Sequence, residues 1–439
     1  MALNPTVMQA VEQLDYRVTI GDVATKSGLN VNLAEQDLLA LAAEAGGHLQ
    51  VAESGDVVYA FPKDFRAILR NKHLRLQLQE WWNKVWRVLF YLIRISFGIV
   101  LLLSIALIFI AIFIILASLN RDGDSDQGGS SRSDGGGVFM PHVWLGPDLF
   151  WFFDPGYDRR YRQRERSASS QGKQMNFLEA IFSFLFGDGN PNADLEERRW
   201  QTIGTVIRNN GGAVVAEQIA PYLDSVGQGY AREYEEYMLP VLTRFNGRPE
   251  VSPDGQLVYH FPELQTTAAQ RHSQPAPAYL REWTWRFSSA GSGQIIGAIA
   301  LGSLNFVGAL VLGSLLADGA AAAQLGGLVA FVQSIYWLLL GYGTAFLVMP
   351  LIRYFWIQWR NRRIEARNQK RQDRAVMLNQ ANADLQKKLA YAHQFAAETV
   401  VRQEDLVYTT ETDLLEQEAE RSEQIDAEWQ QRLNQSGSQ

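Results

Sequence analysis

The chain has no cysteine. Disulfides, thiol nucleophiles and thiolate metal sites are therefore excluded, and a cysteine-ligated iron–sulfur cluster cannot be built from this chain alone. Histidine is scarce. His48, His73, His142, His260, His272 and His393 are scattered, with no pair at the helical spacing that a metal would use, so neither a metal nor a cofactor is expected. No catalytic motif occurs, and an enzyme is not expected. The start, Met-Ala-Leu-Asn-Pro, lacks the basic-then-apolar build of a cleaved signal peptide. Bases are almost missing from residues 1–62, where Arg17 and Lys26 stand against eight acids. Three long apolar runs lack charge of either sign.

What is present is a repeat. Val51-Ala-Glu-Ser-Gly55-Asp-Val-Val-Tyr59-Ala-Phe61-Pro62 returns two hundred positions later as Val251-Ser-Pro-Asp-Gly255-Gln-Leu-Val-Tyr259-His-Phe261-Pro262. The first copy reads as a helix over 5–14, a short strand at Val18–Ile20, a helix stopped by Gly28, and a third helix, Leu33–Ala45, capped by Asn32. Two β-rich runs, 48–51 and 57–61, come next, joined by the turn Glu-Ser-Gly-Asp. Helix, strand, helix, helix, hairpin is the order of a winged helix-turn-helix, and the second copy repeats it with four extra residues before its third helix. That fold would suggest DNA, but phosphate neutralisation needs Lys and Arg on the third helix and wing. Here the third helix carries Glu35, Asp37 and Glu44, and residues 193–262 hold six arginines against ten acids. The charges favour protein partners, or packing of the two modules on each other. The partner-binding candidates are Glu35, Asp37 and Glu44 in the first copy and Arg232, Glu235 and Glu236 in the second.

The apolar runs are long enough to cross a hydrocarbon core of about 30 Å. Ile95–Leu119 has 25 uncharged residues, and Gly291–Ala317 with Leu325–Leu347 predicts an antiparallel hairpin whose recurrent glycines suit close packing in lipid. No acid or base lies inside these spans to mark a transport path. Basic residues cluster before the first span and after the last, while the hairpin tip has none. The N-terminus, the exit of the second module and the C-terminus are thus expected on the cytoplasmic or stromal side. Three crossings cannot satisfy that. An even number is expected, either because the first run dips in and returns or because another segment crosses between residues 120 and 280.

Residues 121–137 are a Gly/Ser/Asp linker. The aromatic and basic stretch beyond it, with Trp144, Trp151, Phe152, Arg159, Arg160 and Arg162, reads as a membrane-interface segment, as do Trp81, Trp82 and Trp86 at the entrance to the first span. From Arg353 the chain reads as helical to about Gln430. It begins basic, with ten Lys or Arg against three acids over 353–388, and ends acidic, with eleven acids against two bases over 398–428. An antiparallel helical pair breaking near 398–408, or a docking arm, would use that polarity.

The stretch Ala180-Ile-Phe-Ser-Phe-Leu-Phe186-Gly-Asp188-Gly-Asn-Pro-Asn192, with the surrounding order of elements, resembles a membrane protein family of cyanobacteria and chloroplasts. The resemblance covers most of the chain. It implies a thylakoid, plasma or envelope membrane and offers no established catalytic residues. Plant members carry a loose label of iron–sulfur cluster biosynthesis, of which at most a helper role would transfer to a cysteine-free chain. Asp188 or Asn192 could cap the next element of the chain, and a cation site there would have two or three oxygen donors.

The expected fold is mainly α with small β-hairpins: two winged-helix-like modules on an α-helical membrane region, and a long charged C-terminal helical segment. The expected divisions are module 1 (1–65), a basic amphipathic juxtamembrane helix (66–94) and a transmembrane or re-entrant segment (95–119). After these come a Gly-rich linker with its interfacial stretch (120–175), an apolar interfacial segment (176–192) and module 2 (193–265). A transmembrane hairpin (287–350) and the charged C-terminal region (351–432) complete the chain. The expected function is a membrane-anchored, non-enzymatic scaffold or assembly factor that holds protein partners, photosynthetic complexes among them, at the membrane. A membrane-tethered DNA-binding regulator and a transporter or channel subunit are the alternatives.

Overall fold

The computed structural model describes residues 4–72, 74–122, 175–269, 274–317, 325–380 and 382–419, together with 422 and 429. The fold is mainly helical, with small sheets and three long apolar helices. Two compact units divide it. A sheet-bearing unit is drawn from residues 1–81, 191–284 and 362–439, and an apolar unit from 82–190 and 285–361.

In the sheet-bearing unit the first copy runs α1 (Pro5–Gln13), β1 (Arg17–Thr19), α2 (Ile20–Ser27), α3 (Val31–Ala45), β2 (His48–Ala52) and β3 (Val57–Ala60), followed by α4 (Phe65–Lys72). Short-range chemistry sets these limits. Asn4 caps α1, with Pro5 pre-set for the first turn. Thr19 and Asp22 form a reciprocal capping box on α2, and Gly28 ends it in the left-handed region. Asn30, not Asn32, caps α3, because its side-chain oxygen accepts from the Asn32 amide at 2.9 Å.

The second copy runs α7 (Leu195–Asn209), β4 (Ala213–Val214), α8 (Ala216–Ile219), α9 (Tyr230–Glu233), α10 (Leu239–Phe245), β5 (Arg248–Val251) and β6 (Leu257–His260). The two hairpins match bond for bond. Ala52 and Ser252 donate to Asp56 and Gln256, Gly55 and Gly255 turn with positive φ, and Val18 and Val214 pair with Tyr59 and Tyr259. A Cβ at Gly47 would crowd the Phe61 ring, and one at Gly247 the Phe261 ring. The expected single third helix is broken in the second copy: Glu235 takes positive φ, and a 3-10 turn precedes α10. Residues of both copies share one core, in which Val23, Leu38 and Phe61 join Ile203, Phe245 and Phe261.

The C-terminal region departs from the helical expectation. Helix α14 (Ala383–Ala392) ends at His393, and the chain then extends as β8 (Thr399–Val400) and β9 (Leu406–Thr409). No antiparallel helical pair forms in the described residues. The β-branched run Thr399-Val400-Val401 and Leu-Val-Tyr-Thr at 406–409 favour strands once edges are available to receive them. Strand β9 adds to the outer edge of β2, giving the antiparallel order β1-β3-β2-β9, whereas the second sheet stops at β4-β6-β5. Strand β8 lies parallel to β7 (Thr266–Thr267).

In the apolar unit, α5 (Leu74–Asp122) enters as one continuous helix, without the break that a re-entrant path over 88–119 would need, and it merges the expected juxtamembrane and spanning pieces. Helix α11 (Ser292–Leu316) runs antiparallel to α13 (Tyr336–Asn379), with the short α12 (Gly327–Ser334) before it. Small residues allow close approach: Gly302 faces Phe346, Gly343 faces Asn305, and Gly313 faces Tyr336. Buried Asn305 donates to Ser104 of α5 at 2.7 Å. Helix α6 (Phe177–Phe186), expected as an interfacial segment, is built into this unit's core, where Phe177, Ile181 and Phe184 pack with Leu101, Ala298 and Phe346.

Candidate functional site

Within the sheet-bearing unit the two copies and the tail converge on Arg17 and Asp22. The Arg17 guanidinium donates to the carbonyls of Ala268 (2.5 Å) and Val401 (2.8 Å), and its Nε donates to Gln50 (3.0 Å). Asp22, fully buried, receives the amides of Thr19 and Ala268 at 3.0 Å each and pairs with Arg208 of α7 at 2.7 Å. One carboxylate thus caps its own helix and ties it to the second copy. The tail closes over this junction. Ala397 donates to Gly211, Thr399 to Gln265, Val401 to Thr267 and Thr410 to Leu49, while Glu53 donates to Asp405. Beside it lies a cavity of about 260 Å³ lined by Asp22, Lys26, Gln201, Arg208, Gln265 and Glu398 among others. Two cations and two carboxylates balance there, so the lining favours neither sign of ligand.

Strand β9 pairs with one copy only, and prolines explain why. Along β2 and the residue after it, the positions whose backbone points outward are Leu49, Val51 and Glu53: the Leu49 amide reaches Thr410 and the Glu53 amide reaches Asp405. The corresponding positions of the second copy are Pro249, Val251 and Pro253. Two of its three outward N–H groups are missing, which blocks strand addition. The third position's carbonyl, on Val251, accepts from the Tyr391 hydroxyl at 3.3 Å.

A second cluster lies within this unit, which takes in the charged end of α13 from residue 362 onward. Arg371, 1% exposed, pairs with Glu282 (2.8 Å) and with Asp224, and donates to the Leu280 carbonyl. Arg367 makes a bidentate pair with Glu282, and Arg199 holds Asp224 at 2.6 Å. Burial opposes ionisation of Asp224 and Glu282, but the arginine hydrogen bonds and charges outweigh it and hold both carboxyls below their ordinary values. On the next helix Lys388 is buried between Glu217 (2.9 Å) and Glu235 (2.6 Å). Burial, reinforced by the Glu35 charge, pushes the Tyr59 phenol up to about 12, and burial alone lifts Tyr222 to about 12.

The sequence candidates fall into different settings. Glu35 is exposed on α3, between Leu33 (53% exposed) and Leu39 (44%). Asp37 accepts from Asn4 at 2.9 Å, and Glu44 is half-buried. Arg232 and Glu236 are exposed. Glu235 is not open to a partner: it holds Lys388 and accepts from the Tyr259 hydroxyl at 2.8 Å, because its positive φ turns it inward. Trp81, Trp82 and Trp86 are exposed on α5. Trp144, Trp151, Phe152, Arg159, Arg160 and Arg162 lie outside the described residues. In the Phe186–Asn192 motif, the Asp188 oxygens are taken by Arg94, Ser183 and the Ser289 amide. Asn192 exchanges two hydrogen bonds of 2.7 Å with the Trp283 backbone. The motif is a structural fastening, and its donors are not left for a cation.

Arg17, Asp22, Arg371 and Lys388 were not singled out by sequence. Thr19-x-x-Asp22 before an apolar run is a legible capping signal. Nothing local marks Arg371 apart from the arginines around it.

No protein-family model and no solved structure matches the chain. An uncharacterized chloroplastic protein of Arabidopsis thaliana is 38% identical over 431 residues, covering 95% of this chain and 80% of the relative. Identity of that extent reaches from the first copy through the apolar helices to the tail, and the chain belongs to the family of that chloroplast protein.

Proposed function

We propose that the protein is a membrane-anchored, non-enzymatic scaffold or assembly factor whose two winged-helix-like modules hold a protein partner at the cytoplasmic or stromal face of a thylakoid or plasma membrane. The chloroplastic relative supports a photosynthetic membrane system. The observation that carries the reading is the exposed surface of α3, where Leu39 lies one turn beyond exposed Glu35 and Leu33 is exposed as well. In a nucleic-acid reader this helix would be basic. Apolar anchors beside an acid fit a protein surface with a basic rim instead.

Sidedness has its own support. In the apolar unit, Ile115 packs with Leu316 and Val329 at one end, whereas Phe177 packs with Leu101, Ala298 and Phe346 toward the other. The described residues before and after 123–174 therefore sit at opposite ends of the apolar helices. That favours an even number of passages. The points where the chain leaves this unit are gathered at the Phe177 end, as the Arg94–Asp188 pair and the Trp285–Asn361 backbone clamp indicate.

The test is a quantitative pull-down with cross-linking from gently solubilised membranes, comparing wild type with Leu39→Arg. A defined membrane complex that cross-links to α3 and is lost in the variant is the expected result. Failure to recover any reproducible partner, or salt-sensitive retention on duplex DNA, would overturn the reading.

A further inference from the structure

The apolar unit carries a cluster of donors without acceptors where α13 leaves its apolar stretch. The Arg360 guanidinium lies 4.7 Å from the Trp285 ring centroid and 5.0 Å from that of Trp356. The two indoles stand nearly perpendicular, with centroids 5.4 Å apart. Asn361 holds the Trp285 backbone from both sides, at 2.8 and 2.9 Å, so the ring is set in place rather than loose. The Trp285 indole N–H is buried and has no acceptor. Arg360, and exposed Arg286, which follows Trp285 in the chain, form no ion pair among the described residues. Among the described residues of this unit, Lys84, Arg87, Arg94, Arg121, Arg286, Arg353 and Arg360 stand against Asp122, Glu179 and Asp188, and Asp188 is already paired with Arg94.

Position and neighbours narrow the ligand. Trp356 follows the exposed Trp337 by nineteen residues of the same helix, about 28 Å at the helical rise, close to the thickness of a hydrocarbon core. Trp337 and Trp356 thus mark two headgroup levels. One helical face beside Arg360 exposes Ile352, Phe355 and Trp359, at spacings of three and four residues. An anion that satisfies Arg360 would come with an apolar chain able to cover that face.

We propose that Arg360, Trp285 and Arg286 form a binding site for the phosphate of an anionic lipid headgroup, with an acyl chain along Ile352, Phe355 and Trp359. The indoles hold the guanidinium plane by cation–π contact, leaving its edge free to take two phosphate oxygens. The inference rests on the membrane reading of the apolar helices and not on the scaffold reading, so a failed pull-down leaves it standing.

The test uses the full chain in neutral detergent, titrated with phosphatidylglycerol, phosphatidylcholine or inorganic phosphate, with bound lipid counted by native mass spectrometry. Phosphatidylglycerol should bind in preference to phosphatidylcholine. Arg360→Gln and Arg286→Gln should each weaken it about fivefold, the worth of one cation near a headgroup. Arg360→Lys, which keeps the charge but not the planar fork, should fall between. Lys370→Gln removes an exposed base elsewhere on the same helix and should change nothing. Three results would overturn the proposal: equal loss in Lys370→Gln and Arg360→Gln, no preference over phosphatidylcholine, or displacement of the lipid by millimolar inorganic phosphate, which would make the site one for free anions. Melting curves identify any variant that fails to fold, and Trp285→Phe then serves in its place: it keeps the ring, and unchanged binding would remove the indole N–H from the site.

Discussion

The Arg371 cluster yields a prediction in which the two partners of one buried ion pair behave unequally. Glu282, with a side chain 6% exposed, sits between Arg367 and Arg371. Among the described residues Glu282→Leu leaves the buried Arg371 with one carboxylate, Asp224, whose side chain is 52% exposed and already engaged by Arg199. Leaving a buried charge short of its partner costs about 3–5 kcal/mol. Arg371→Met is milder, because each carboxylate keeps an arginine: Glu282 keeps Arg367, and Asp224 keeps Arg199. What is lost is chiefly the donor to the Leu280 carbonyl and part of the pairing, about 2 kcal/mol. The Arg371 Nε has no acceptor even in the wild type, which lowers the loss further. In the double variant no cation is stranded, since Arg367 is 45% exposed and can be solvated. The double should therefore cost about 3 kcal/mol rather than the sum, a coupling of roughly 2–4 kcal/mol. For a unit of this size about 3 °C accompanies each kcal/mol, so Glu282→Leu should lower the melting temperature by about 12 °C and Arg371→Met by about 6 °C. Thermal unfolding in detergent, followed by near-UV circular dichroism, reads both. An Arg371→Met variant as unstable as Glu282→Leu, or strictly additive losses, would refute the reasoning.

Acid should weaken the same cluster. Asp224 and Glu282 are held below their ordinary values of 3.8 and 4.5, so the stability they contribute is complete above those values and disappears as pH falls through the lower folded-state ones. The melting temperature should drop on acidification below about pH 4.5, less steeply in Glu282→Gln; an unchanged slope in the variant would count against the pairing. Replacing Pro249 with Leu and Pro253 with Glu restores the outward N–H groups of β5 and should promote strand-mediated self-association, visible as higher oligomers by size-exclusion chromatography with light scattering. A variant with the wild-type elution profile would show that the prolines are not what protects this edge. In the apolar unit, Asn305→Leu should cost under about 1 kcal/mol, because the amide oxygen of Asn305 is already unpartnered and interhelical hydrogen bonds in lipid average about 0.6 kcal/mol. A loss above about 2 kcal/mol in steric-trapping unfolding would give this residue more than a packing role.

Much of the architecture could be read directly. Turn glycines, Thr19-x-x-Asp22 and alternating β-branched residues act over a few positions, and the hairpins at 48–60 and 248–260 followed from them. The three apolar helices followed from length and absence of charge, since a helix is the element that satisfies its whole backbone within one segment inside lipid. The tail was misread because its residues 393–412 contain no helix breaker, and strand formation there depends on edges some 130 and 350 positions earlier in the chain. Glu235 was misjudged for a similar reason: an acid in a polar run looks solvated until the fold brings Lys388 beside it.

By itself the sequence determined the hairpins, the apolar helices and the acidic character of α3, because periodicity, turn chemistry and charge are properties of short windows. Only the tertiary structure decided that the tail pairs with the first copy, that Arg371 is buried between two carboxylates, and that the oxygens of the Phe186–Asn192 motif are spent on internal contacts. Those outcomes depend on which edges and charges from distant parts of the chain meet, and on how far water is excluded where they do.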